Sequence, residues 1–178
     1  PGAACLVFYP GTMFCPVQYR TFLHCLWKNG LAVAALHLTG HGINPHRCRF
    51  SFDDLLRDGL DAEQWLLDNG MGPLLLAGHS QGGILAMAHA SRSGRMRACF
   101  AFSGIFPQSR RAIELTRFAP WAAQRERLLA GLKVLATCLP RLPLPVFSYL
   151  AVKKILAGCL RLPLDRRQAR TSYPLAYL

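Results

Sequence analysis

The stretch Leu74–Ala86, LLLAGHSQGGILA, is an apolar run that breaks at Gly-His-Ser-Gln-Gly and resumes in small and apolar residues with helical spacing. Read from its periodicity, PLLLAGHS is a buried strand, QGGILAMAHASR is a helix, and Ser80 stands at the corner between them. So sharp a corner forces its central residue into a strained backbone conformation and admits only very small residues two before and two after it. Gly78 and Gly82 occupy those positions, and Gly83 lets the helix pack closely. A glycine-rich turn whose serine merely caps the helix is the simpler alternative; it does not explain glycine on both sides. A serine hydroxyl is a poor nucleophile that needs presentation, a base and a stabilised oxyanion. The helix that begins after Ser80 offers a positive dipole end and a backbone N–H from Gln81 for the last of these.

Outward from the corner the chain alternates. ACLVFYPG (Ala4–Gly11) and LAVAALHLTGHG (Leu31–Gly42) are apolar runs closed by Pro or Gly, expected to be parallel strands covered on both faces. Between them PVQYRTFLHCLWKNG repeats apolar residues at Val17, Tyr19, Phe22, Leu23, Leu26 and Trp27 and stops at Asn29-Gly30, which predicts a helix. SFDDLLRDGLDAEQWLLDNG predicts another, capped by Ser51 with Asp54 at the capping-box position, its inward stripe being Phe52, Leu55, Leu56, Ala62, Leu66 and Leu67. MRACFAFSGI (Met96–Ile105) is a fourth strand. Strand and helix thus alternate through four strands, the pattern of an α/β, doubly wound, mostly parallel sheet over residues 1–105. From 106 to 178 prolines interrupt apolar residues in helical spacing, with no strand pattern, and a helical, basic cap or lid is expected.

The charge divides along the same line. Residues 1–90 hold five Lys and Arg against six Asp and Glu, residues 91–178 sixteen against three, so the net +12 arises wholly in the second half. Seven cysteines form no CxxC pair and are odd in number, which argues against a disulfide framework or zinc site and suits buried thiols in a reducing, cytoplasmic compartment. Neither a secretory leader nor a membrane span is visible; the longest apolar runs, about eight residues, fall well short of the roughly 20 a span needs. Among the histidines, His37, His41 and His46 follow the second strand without a nearby carboxylate before Asp53, so no metal site is expected. His41 is expected to shape the rim by hydrogen bonding, His79 to pack under the corner, and His24 to be structural.

Three motifs, GHSQGG (Gly78–Gly83), YPGT (Tyr9–Thr12) and TGHG (Thr39–Gly42), resemble the α/β hydrolase superfamily, in particular its lysophospholipase-like and esterase-like members with a helical cap. The resemblance implies an α/β hydrolase fold whose cap is inserted after residue 105. It implies Ser80 as nucleophile in the elbow glycines Gly78 and Gly82, with backbone N–H groups of Gln81 and Thr12 as the oxyanion hole. Pro10 stands where the family's loop often begins with His, which leaves Met13 as an alternative to Thr12.

In this fold the acid and the histidine follow the nucleophile in the chain. Here the one downstream histidine is His89, nine residues into the helix and so about 13 Å along its axis, which makes it a packing residue. The downstream acids Glu114, Glu126 and Asp165 all fall in the expected cap. The triad acid and histidine are therefore expected to lie outside this chain, whose apolar ending TSYPLAYL fits truncation before the last core strands; a complete chain that has lost catalysis is the alternative.

The expected activity is hydrolysis of a hydrophobic carboxylic ester through an acyl-enzyme on Ser80, without a cofactor. A non-catalytic homologue that binds a hydrophobic ligand or partner, and an acyltransferase, share the same residues. Phe118, Trp121, Phe147 and Tyr149 are candidates for an apolar pocket wall, and the basic excess suits contact with an anionic membrane surface. No nucleic-acid module is present.

Overall fold

The structure is a computed structural model that describes residues 4–44, 50–104, 109, 112, 114, 116–149 and 171–175. Four strands form one parallel sheet in the order β2-β1-β3-β4: β1 (Cys5–Tyr9), β2 (Ala32–Ala35), β3 (Leu74–His79) and β4 (Ala98–Phe102). Three helices make the crossovers, α1 (Arg20–Lys28, after a 3-10 turn Pro16–Tyr19), α2 (Phe52–Asp68) and α3 (Gln81–Ser93). The α/β doubly wound architecture is as the alternation led us to expect.

The two central strands carry the continuous apolar runs because both their faces are covered; β1 is buried at every position. The expectation that the first two strands are both covered on both faces holds for β1 and is corrected at β2. β2 is half-buried throughout, and β4 leaves Phe100 and Phe102 49% and 44% exposed; among the described residues each has a strand neighbour on one side only.

The capping box of α2 forms as the sequence indicates: Asp54 N–H donates to Ser51 Oγ at 3.2 Å and Ser51 N–H to Asp54 Oδ2 at 2.8 Å. Its buried stripe, however, is Leu55, Leu56, Gly59, Glu63 and Leu66. Glu63 has no exposed surface, nor does His89 on α3. His89 Nε2 lies 2.5 Å from Glu63 Oε2, Ser93 Oγ donates to Glu63 Oε1 at 2.8 Å, and Tyr9 Oη lies 2.6 Å from His89 Nδ1. Arg95 reaches the same carboxylate from the surface, Nε to Oε1 at 2.5 Å. The polarity follows from the groups. A carboxylate only accepts, so His89 donates to it through Nε2, while its Nδ1 shares a hydrogen bond with the Tyr9 hydroxyl. Burial, reinforced by the Glu63 charge, pushes the Tyr9 phenol far above its ordinary range and keeps it a donor. Gly59 makes room for this, because a Cβ there would occupy the place of the Tyr9 hydroxyl.

His89 is thus a packing residue in a network that joins β1, α2 and α3. Burial alone would raise the Glu63 carboxyl; bonds from His89 and Ser93 and the Arg95 charge outweigh it and hold it below its usual range.

The second half of the chain continues with a 3-10 segment (Ala119–Gln124), α4 (Arg125–Cys138), a helical turn (Val146–Tyr149) and two strands, β5 (Pro143–Pro145) and β6 (Ser172–Pro174), paired antiparallel. The expectation of a wholly helical segment is corrected here. Three prolines in six strand residues hid the pair, since proline neither alternates with polar residues nor donates to a ladder. Val146, Tyr173 and Leu175 are fully buried, and the first two belong to the main core cluster with Val7, Met13, Leu38, Phe50 and Leu55. Cys5 and Cys15 are buried, as expected of the thiols, whereas Cys25 and Cys138 are exposed; Cys48 and Cys159 lie outside the described residues. No helix among the described residues is long and apolar enough to cross a membrane.

A Glu63→Gln variant should lose about 3 kcal/mol of unfolding free energy at neutral pH, the scale of breaking one member of a buried charged network. Because the folded Glu63 carboxyl titrates below its ordinary 4.5, the contribution is present above that value and drains away as pH falls through the lower folded value. Urea midpoints from pH 7 to pH 3 should therefore converge for wild type and variant; a constant gap would refute the assignment.

Candidate active site

Ser80 has φ 55° and ψ −119°, a conformation that L-residues rarely adopt. It occupies the N-cap position of α3, yet its side chain makes no capping bond, so the hydroxyl is left for other use. The backbone around it is pinned: Ser80 N–H donates to the Phe102 carbonyl on β4 at 2.7 Å, and Gly83 N–H returns to the Ser80 carbonyl at 3.0 Å. A Cβ on Gly78 would collide with the Gly82 carbonyl, and one on Gly82 would collide with the carbonyls of Tyr9 and Pro10. The two glycines flank the serine because backbone occupies the space any side chain needs. A capping serine would require neither.

The loop leaving β1 reaches across to this turn. Thr12 Oγ1 donates to Gln81 Oε1 at 2.8 Å, which ties the two residues expected to supply oxyanion donors. Met13, in a left-handed conformation at φ 70°, gives its N–H to Tyr173 Oη at 2.8 Å. Of the two alternatives for the loop donor, Met13 is therefore engaged elsewhere. The N–H groups of Thr12 and Gln81 have no acceptor among the described residues.

The histidines fall into distinct places. His79 Nδ1 lies 2.7 Å from Tyr19 Oη, packed beneath the corner between Phe14 and Tyr19. His41 bridges the Thr39 carbonyl (Nδ1, 3.0 Å) and Tyr173 Oη (Nε2, 2.9 Å), and Thr39 is fixed in turn by Asp58. His37 accepts from Ile43 N–H at 3.3 Å, and burial lowers its pKa. His24 is exposed and stacks on Trp27 at 5.4 Å. His46 and Asp165 lie outside the described residues, as do the side chains of Phe147 and Tyr149; Glu114 and Glu126 are exposed. Among the described residues the one histidine–carboxylate pair is His89–Glu63, sealed behind Tyr9 and not presented to Ser80.

A small cleft beside the corner is lined by Pro10, Phe14, Leu36, Leu38, Leu55 and Leu85, with Gly11, His41 and Gln81 as its polar edge. The site thus combines a presented serine, two unengaged backbone donors on facing segments and an apolar wall. Tyr173 and Tyr19 are the residues that sequence reasoning missed: nothing in the spacing of TSYPLAYL marks a contact 160 residues away.

A family model, the alpha/beta hydrolase family, matches residues 6–176. The chain belongs to the alpha/beta hydrolase family. Its fold is shared with a monoacylglycerol lipase from Paleococcus ferrophilus (TM-score 0.69, 19% identity, covering 99% of this chain and 64% of that one). Polyneuridine aldehyde esterase (TM-score 0.51, 20% identity, 70% and 48% covered) and an extracellular alpha/beta-hydrolase from a Paenibacillus species (TM-score 0.50, 19% identity, 67% and 53% covered) are similar over shorter stretches. The chain therefore spans less than two thirds of the length of each of these hydrolases. No curated protein sequence matches it.

Gly78→Ala should lose about 4 kcal/mol or more, the range reserved for backbone collisions that cannot relax. A chemical-denaturation midpoint equal to wild type would show that the turn is not packed as described.

Proposed function

We propose that this chain is the nucleophile-bearing part of a serine hydrolase acting on carboxylic esters with a hydrophobic acyl group. The observation that carries the reading is Ser80, strained at φ 55° between two glycines that backbone contacts demand, with its hydroxyl withheld from capping. In the reaction Ser80 Oγ attacks the acyl carbonyl and loses its proton to a base contributed by sequence beyond this chain. The carbonyl electron pair moves onto oxygen, where the N–H groups of Gln81 and Thr12 meet it. Collapse expels the alcohol, which takes up the proton, and water releases the acid from the acyl-enzyme. The lipase and esterase identities of the structural neighbours support this substrate class.

The cap residues support a further element of the reading, peripheral contact with an anionic bilayer. Trp121, Val134, Leu135, Leu139 and Leu142 are each at least 40% exposed, among the exposed Arg127, Lys133 and Arg141. Apolar and cationic groups together on a surface suit the boundary of an acidic membrane.

A fluorophosphonate probe should label Ser80 in the full-length protein and should not label a Ser80→Ala variant; a folded wild type that stays unlabelled would refute the hydrolase reading and leave a binding protein. Co-sedimentation should be stronger with vesicles containing phosphatidylserine than with pure phosphatidylcholine, and equal partition would refute the membrane contact.

A further inference from the structure

The backbone N–H groups of the loop between β1 and α1 can be followed one by one. Pro10 has none. Gly11 N–H donates to Tyr19 Oη at 3.1 Å, Met13 N–H to Tyr173 Oη at 2.8 Å, Phe14 N–H to the Gly11 carbonyl at 3.0 Å and Cys15 N–H to Gln18 Oε1 at 2.9 Å. In this run only Thr12 N–H has no acceptor among the described residues. Half-buried peptide donors are seldom left unmet. The two that flank Thr12 are both held by phenols.

Each phenol is itself set by a histidine. His41 Nδ1 faces the Thr39 carbonyl, which only accepts, so Nδ1 carries the proton and Nε2 takes the Tyr173 O–H. The Tyr173 oxygen then turns a lone pair to Met13 N–H. On the other side burial lowers the pKa of His79 and raises that of Tyr19 to about 12. The phenol therefore keeps its proton, accepts from Gly11 N–H, and shares a hydrogen bond with His79 Nδ1 at 2.7 Å. Two relays of the same kind, histidine to phenol to peptide, end on either side of one residue.

We propose that Tyr19 and Tyr173 are positioning residues for catalysis: by holding the N–H groups of Gly11 and Met13, they fix the loop so that Thr12 N–H alone is left to meet the acyl oxygen. The inference rests on the reading of Ser80 as an acyl-transfer nucleophile. It also explains the left-handed Met13, a conformation that is unfavourable for an L-residue and that the Tyr173 bond holds in place.

The test is ester hydrolysis by the full-length protein with p-nitrophenyl butyrate. Tyr19→Phe and Tyr173→Phe should each lower kcat about tenfold with KM within about twofold, less than the hundredfold or more that follows outright loss of an oxyanion donor. Adding Met13→Gly to Tyr173→Phe should recover most of the lost kcat while lowering thermal stability further, because glycine takes φ 70° without strain but removes a buried side chain. Glu63→Gln, destabilised without loss of any bond to the N–H groups of Gly11 or Met13, should keep wild-type kcat. Either phenylalanine variant at wild-type kcat, or a Met13→Gly change that deepens the loss, overturns the inference. A wild type that neither hydrolyses the ester nor accepts the fluorophosphonate overturns the hydrolase reading and this inference with it, whereas an active wild type with unchanged variants overturns this inference alone.

Discussion

The site depends on how closely the first turn of α3 approaches the carboxyl end of β1. Gly82 lies against the carbonyls of Tyr9 and Pro10, and Gly78 lies against Gly82, so three segments of backbone meet with no side chain between them. Sheet register sets this up. Tyr9 pairs with Gly78, so the loop that leaves β1 and the turn that leaves β3 begin at partnered positions. The chain runs from β1 to β2 on one side and returns to β3 on the other, which makes the β1/β3 border the point where strand order reverses. Crevices for ligands open at such points in parallel sheets. Thr12 and Gln81, 69 residues apart, can bond because each stands three residues beyond the paired Tyr9 and Gly78.

Three tyrosine–histidine pairs surround this junction and do different work. Tyr9–His89 ends on the buried carboxylate of Glu63, so it joins layers: a charge with no solvent must have its partners, and these are His89 and Ser93 of α3 and Arg95 just beyond it, with Tyr9 of β1 holding His89. Tyr19–His79 and Tyr173–His41 end on peptide N–H groups and fix a loop. A phenol suits both tasks because it donates and accepts at one atom, and burial keeps its proton in place. The same pairing therefore serves stability where it ends on a carboxylate and loop geometry where it ends on a peptide.

What could be read from the sequence was whatever leaves a local trace. The corner at Ser80, the Ser51–Asp54 box, the Asn-Gly helix ends and the strand–helix alternation are contiguous patterns, and each is found in place. The candidate donors were legible too, but the choice between Thr12 and Met13 was not, since it turns on Tyr173. Glu63 escaped because a carboxylate on a helix reads as solvated; His89, Ser93 and Arg95, distant in sequence, make its burial tolerable. The exposed edges of β2 and β4 escaped for a related reason: an apolar run states that a strand can be covered, not how many neighbours cover it.

The pairing of β5 with β6 shows why Tyr173 reaches the core at all. A two-stranded ribbon of three residues each is marginal in water, and here Pro143, Pro145 and Pro174 deprive it of half its ladder donors. Bonds outside the ladder help, Val146 N–H to the Thr171 carbonyl at 2.8 Å and Leu175 N–H to the Leu142 carbonyl at 2.9 Å. The larger contribution is burial of Val146, Tyr173 and Leu175, about 1.5–3 kcal/mol for a fully buried side chain of this size. Packing, not hydrogen bonding, therefore brings this segment to the sheet. Once the Tyr173 ring lies beside Phe50 and His41, its hydroxyl cannot remain unpaired, and among the described residues it bonds the His41 ring and the Met13 N–H. The apolar anchor and the loop geometry are thus two consequences of one buried side chain.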